Sequence, residues 1–144
     1  MCIRDSIKTR TDLAVEAITA VNVQAMFPAV ASGVLFTADP MDGSANDGTR
    51  ADRIFVEAVS GLGQKLVSGQ ATPARFEIDR TTCKVVRSQN EASIAGTGLG
   101  HSVIEKLARQ SLELEAKAEH PIDLEWGYRE GRFAFLQFLS LIHI

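Results

Sequence analysis

The stretch "DLEWGYREGRFAFLQ", Asp123 to Gln137, constrains this chain more tightly than any other. Two runs with strand-like alternation flank Glu130-Gly131-Arg132, and three-residue hairpin loops favour a glycine at the left-handed position that Gly131 supplies. Two antiparallel strands joined by that loop place Glu125 directly opposite Gln137. Opposed side chains share a face with Cβ atoms about 5 Å apart. Asp123 lies on the same face, two residues along, while Leu124, Trp126 and Phe135 are free to bury the rest. The hairpin therefore presents two carboxylates and an amide oxygen together. These are hard donors suited to Mg²⁺, which takes a few protein oxygens and completes its shell with waters and phosphate oxygens. A solvated hairpin face carrying ordinary polar residues stands beside that reading, because D-x-E is a common pattern.

The rest of the chain reads as alternating short elements. Thr11 to Ala20 carries a short helical stripe and Val21 to Met26 alternates as a strand. "SGVLFTADP" predicts a second strand through Thr37, and Met41 to Asp52 a polar loop. Arg53 to Val59, "ARFEID" and "CKVVRS" predict three more strands, the last two joined by a turn at Arg80 to Thr82. "NEASIAGTGLG" reads as a flexible connector, since Gly96, Gly98 and Gly100 lack the wider spacing of a dinucleotide fingerprint. Ser102 and Glu105 have capping-box form for a helix whose apolar face is Ile104, Leu107, Ala108, Ser111, Leu114 and Ala118. Pro121 ends it, and His120 suits the negative end of its dipole. Mixed strands and helices without regular alternation give an α+β class.

Composition narrows the functional classes. With 45% hydrophobic and 23% charged residues and a net charge of −3, the chain has ordinary globular usage. It shows neither a nucleic-acid face nor a polybasic membrane patch. No apolar run reaches the ~20 residues that span a bilayer, so a cytoplasmic protein is expected, binding neither nucleic acid nor membrane.

The terminal hexapeptides "MCIRDS" and "LSLIHI" break the pattern of their neighbours. One DNA word, read forward and as its reverse complement, encodes both, and it resembles a transposase mosaic-end sequencing adapter. Residues 1–6 and 139–144 are therefore expected to be read-through, leaving 7–138 as the native portion. Cys2 then drops out and Cys83 has no partner for a disulfide, which fits a reducing compartment.

"DLEW", a short turn and "LQ" are similar to the end of the nucleotide-binding domain of phosphoenolpyruvate synthase, pyruvate, phosphate dikinase and rifampicin phosphotransferase. In that family the pattern runs D-x-E-W and then L-Q-x-R-P. "AVNVQAM", "SGVLFTADPMDG" and "VEAVSGLGQKLVSGQATPARFEID" match in the same order. The resemblance implies the C-terminal portion of an ATP-grasp domain, with a mixed or antiparallel sheet and packed helices. The partners implied are a missing N-terminal half that closes the clamp and a swivelling domain whose histidine accepts the phosphoryl group. By position, Gln24, Glu125 and Gln137 would bind ATP, Glu125 and Gln137 its Mg²⁺, and Asp123 would support Glu125 in catalysis. The family's arginine after the glutamine falls at position 139, opposite Asp123, where this chain has Leu139. Gly61, Gly63 and Gly69 are expected to shape a turn near the nucleotide, and Thr37 and Asp39 to satisfy a strand end. His101 and His120 read as surface residues. An ATP-grasp carboxylate–amine ligase and a non-catalytic interaction domain remain as rival readings, the first disfavoured by "VSGQATP" and D-x-E-W.

Overall fold

Six segments rich in β-branched and aromatic residues pair into one sheet in the computed structural model, which describes residues 25–38, 52–63 and 71–140. The strands are β1 (Ala31–Phe36), β2 (Arg53–Ser60), β3 (Ala74–Asp79), β4 (Val85–Gln89), β5 (Ile122–Arg129) and β6 (Arg132–Ser140). Their spatial order is β4-β3-β2-β1-β5-β6, and every neighbouring pair is antiparallel. A single helix, α1 (His101–Ala118), connects β4 at one edge to β5 beside β1.

Period-two alternation assigns the two faces. One face turns Leu35, Ile54, Val56, Phe76, Ile78, Leu124 and Trp126 toward Ile104, Leu107 and Ala108 of α1, all of them buried. Burying a large apolar side chain completely stabilises by about 1.5–3 kcal/mol, so this layer carries most of the favourable energy. Gly33 is fixed by the same packing: a Cβ there would fall 1.8 Å from the Glu57 carbonyl oxygen and 2.8 Å from Trp126 Cζ2. The opposite face carries Val34, Phe36, Phe55, Glu57, Arg75, Glu77, Asp123, Glu125 and Gln137 by register.

The α+β class is observed, but the ATP-grasp expectation is corrected. Among the described residues the sheet is antiparallel, one of the two forms expected, since the connection through α1 returns beside β1 in that sense. Among the described residues no second lobe closes over the carboxylate face.

Four local expectations also change. The connector after β4 is anchored rather than flexible: Asn90 Nδ2 donates to Thr72 O (2.8 Å) and Pro73 O (3.2 Å). A 3₁₀ turn, Glu91–Ile94, then sends Ile94 into the core, with Leu99 following. α1 begins two residues early, with Gly100 at its N-cap and no side-chain cap. Glu105 does not reach back to Ser102; it accepts from Lys84 Nζ (2.8 Å) and the Val85 amide (3.4 Å). The core-facing stripe of α1 keeps Leu114 and Ala118, partly buried, and adds the buried Glu115. Glu115 pairs with Arg80 Nη2, and Arg80 Nη1 donates to Thr37 O at 2.6 Å. Finally, Ala25 and Met26 lie outside any strand, whereas residues 11–24 and 41–51 fall outside the described residues.

Candidate functional site

The β5–β6 hairpin brings Glu125 opposite Gln137, as the sequence predicts, but by another route. Its turn has two residues, with Glu130 at φ 50° and Gly131 at φ 78°, and Arg129 pairs Arg132. Positive φ at both positions is the type I′ turn whose twist matches the strands. A register shift between Glu125 and Trp126 then adds one residue on β6, a bulge that bends the strand locally. Beyond it, Glu125 faces Gln137 and Asp123 faces Leu139.

β1 anchors the other side of β5. Val34 faces Glu125 and Phe36 faces Asp123, so the carboxylates stand beside apolar side chains. The strand end is clamped by Thr37, whose amide donates to Ile122 O (3.0 Å) and whose Oγ1 accepts from the Ile122 amide (2.8 Å). Thr37 is fully buried, and this places it in the scaffold immediately before Asp123. Ser32 Oγ donates to Gly61 O at 2.6 Å, and Gly61 has φ 81°, which gives that glycine a turn role. Gly63 packs against Ser32. Gln24, Asp39 and Gly69 lie outside the described residues.

Electrostatics separates the carboxylate pair from the rest of the face. At the β2–β4 end, Arg53 meets Asp79 at 2.8 Å, Arg75 meets Glu57 at 2.7 Å and Arg87 meets Glu77 at 3.4 Å. A groove of about 170 Å³ lies there, lined in part by these pairs, so its acids are already neutralised. Asp123 and Glu125 have no such cation among the described residues. Asp123 Oδ1 is buried without a hydrogen-bond partner there. Burial and then the neighbouring Glu125 charge hold its carboxyl above the usual carboxylate range. An uncompensated buried carboxylate is costly to fold, and such groups concentrate at functional sites.

The donor set fits Mg²⁺. No group of three His, Cys, Asp or Glu side chains gathers among the described residues. A magnesium–nucleotide site does not require one, because water and phosphate oxygens complete the octahedron. His101 Nε2 hydrogen-bonds Glu91 Oε1 at 3.0 Å, and His120 Nδ1 lies 3.3 Å from Ser140 Oγ at the strand end that precedes Asp123. The Arg80–Glu115 pair was not legible from sequence, since a glutamate on a helix ordinarily faces water; only its place on the apolar stripe hinted at burial.

Residues 7–140 match the sequence model of the family described as "Pyruvate phosphate dikinase, AMP/ATP-binding domain". The chain belongs to this family. A probable phosphoenolpyruvate synthase from Methanocaldococcus jannaschii is 28% identical over 136 residues, covering 80% of this chain and 11% of the relative. Phosphoenolpyruvate synthase from Aeropyrum pernix is 31% identical over 110 residues, covering 73% and 13%. Prodigiosin synthesizing transferase PigC from Serratia marcescens is 28% identical over 139 residues, covering 82% and 15%. The chain thus spans between 11% and 15% of the length of these relatives.

The match corrects two expectations. It assigns 7–140 to the AMP/ATP-binding domain itself, so the chain is not set down as a C-terminal portion, and a missing N-terminal half is no longer its partner. No described helix is long and apolar enough to cross a membrane.

Proposed function

We propose that this domain binds ATP with Mg²⁺ on the face of its sheet opposite α1, through Asp123, Glu125 and Gln137. In its parent protein it would act as the nucleotide site of a phosphoenolpyruvate synthase-like phosphotransferase. The supporting observation is the contrast on that one face: among the described residues every other acid row is paired with arginine, whereas Asp123 and Glu125 are not. Family membership supplies the nucleotide.

The chemistry asked of these residues is positioning and charge compensation rather than covalent catalysis. Bound Mg²⁺ supplies positive charge that offsets the phosphate oxygens during transfer. Glu125 and Gln137 hold it from opposite strands, so their spacing is set by the ladder and not by a loop. Asp123, desolvated between Phe36 and Leu139, holds the second carboxylate of the row and keeps its charge dependent on a cation. The β5–β6 backbone makes this arrangement before ligand arrives, which is where electrostatic stabilisation gains its strength. Gln24 is proposed as a further nucleotide contact. The phosphoryl group would pass to a histidine carried elsewhere in the parent protein. Relatives named both for phosphoenolpyruvate synthesis and for prodigiosin synthesis suggest that the final acceptor is chosen outside this domain.

Calorimetric titration of ATP with and without Mg²⁺ tests the reading. Binding should require Mg²⁺, and Glu125→Gln should weaken it by about tenfold or more while the circular dichroism spectrum stays unchanged. In the full-length parent the same substitution should lower phosphoryl transfer by orders of magnitude. Wild-type affinity and turnover in Glu125→Gln at saturating Mg²⁺ would remove Glu125 from the site.

A further inference from the structure

We infer that Gly127 is a positioning residue for the nucleotide site, acting through Phe27. This rests on the proposed placement of nucleotide at Asp123, Glu125 and Gln137. Gly127 follows Glu125 by two residues and so shares its face, about 7 Å further along the strand. Its backbone has no left-handed φ that would call for glycine. What demands glycine is the neighbour. A Cβ at position 127 would lie 2.8 Å from Phe27 Cδ1 and 3.3 Å from both Phe27 Cε1 and Ala29 Cβ. The ring of Phe27 therefore rests directly on the β5 backbone, where Gly127 is buried beneath it and Ala29.

That contact belongs to a strap rather than to the core. Ala25–Val30 forms no strand, yet several bonds tie it down. The Val30 amide donates to Tyr128 O at 2.9 Å, Val30 O accepts from the Gly61 amide at 2.8 Å, and Arg129 Nη1 donates to Pro28 O at 3.3 Å. These bonds fix the strap on the hairpin side of Phe27 only. Toward Met26, which is 77% exposed, Phe27 on Gly127 is the last fixed point among the described residues. The ring thus occupies the place next to Glu125 in the row of Gly127, Glu125 and Asp123, and bounds the space over the carboxylates on that side. Any side chain at 127 lifts the ring, and the strap moves off the carboxylate face with it. Sub-ångström to ångström displacements of positioning groups are enough to cost one to two orders of magnitude.

The test is a double-mutant cycle in this chain, with calorimetric titration of ATP at saturating Mg²⁺ into the wild type, Gly127→Ala, Phe27→Ala and the double variant. Gly127→Ala is expected to weaken binding about tenfold when Phe27 is present and less than twofold when Phe27 is already alanine. A glycine needed only for folding would show that rescue in the thermal midpoint alone, so affinities are compared per folded molecule, counted by circular dichroism. Equal losses in both backgrounds, or none in either, while the wild type binds, would overturn the inference and leave the nucleotide reading standing. If Gly127→Ala fails to fold, the double variant carries the test: it must fold and match Phe27→Ala within twofold, and a further drop overturns the proposal. A wild-type chain that does not bind ATP with Mg²⁺ removes the nucleotide reading and this inference with it.

Discussion

Asp123 is the residue at which folding and function pull apart. Its carboxyl titrates above the ordinary range because burial and the Glu125 charge disfavour the ionised form. Between the unfolded and folded values the native state therefore holds more protons than the unfolded chain. Stability conferred by protonation is lost as pH rises through that window. Asp123→Asn should accordingly raise stability at pH 7, by less than about 1 kcal/mol since water still reaches part of the group, and the gain should vanish below pH 4. Urea unfolding at the two pH values checks this, and a loss of stability at pH 7 would contradict it. The same variant should bind ATP with Mg²⁺ more weakly. Leu139→Arg probes the pair from the other strand. Register places position 139 opposite Asp123, and a guanidinium there should lower the Asp123 titration and cancel the stabilising effect of Asp123→Asn. Carboxyl carbon shifts followed by NMR across pH report the first, and the urea experiment repeated in the arginine background reports the second.

At the scale of elements, what the sequence disclosed depended on the range of the interactions that decide each one. Strand alternation and Gly131 put Glu125 against Gln137, but that pairing is reached only because the bulge restores by one residue the register that the shorter turn had shifted. The two-residue turn was not legible. It depends on Glu130 accepting a positive φ, which glutamate does not advertise, and the bulge then hides the difference at the very pair of interest. The start of α1 failed for a similar reason. Ser102 and Glu105 look like a local cap, yet Lys84 and the Val85 amide, remote in sequence, claim Glu105. The hydrogen bonds from Asn90 that turn an apparent linker into a fixed corner are equally remote. This leaves α1 with an N-terminus that can be improved. Gly100 has φ −90°, its Cβ position meets nothing within 4 Å, and the first turn contains no acidic residue. Gly100→Asp should stabilise by about 0.5 kcal/mol through an amide-accepting side chain and a favourable charge near the helix dipole. A raised thermal midpoint with unchanged ATP affinity is the expected pair of results.

For the molecule as a whole, the two edges of the sheet are unequal. β4 is short, with charged and polar side chains, and edges of that kind resist pairing with another chain. β6 runs for nine residues and exposes Phe135, Leu136, Phe138 and Leu139, each between 41% and 47% accessible. It has one paired neighbour, β5, so its outer row of amides and carbonyls faces no strand among the described residues. Long, apolar, unpaired edges promote strand-to-strand association, and the bulge beside Trp126 is the only twist that interrupts this one. The chain is therefore expected to self-associate reversibly as its concentration rises through the micromolar range. Phe138→Lys should suppress this, because it places a charge on the edge while Leu124, its partner, remains buried by α1. Phe138 occupies the face opposite Gln137, so ATP affinity should change by less than about twofold, the difference expected for sites without shared partners. Sedimentation velocity over a concentration series measures the first effect and calorimetry the second. Unchanged association in Phe138→Lys would locate the contact elsewhere, whereas a parallel loss of ATP binding would show that the two faces of β6 are coupled through the bulge.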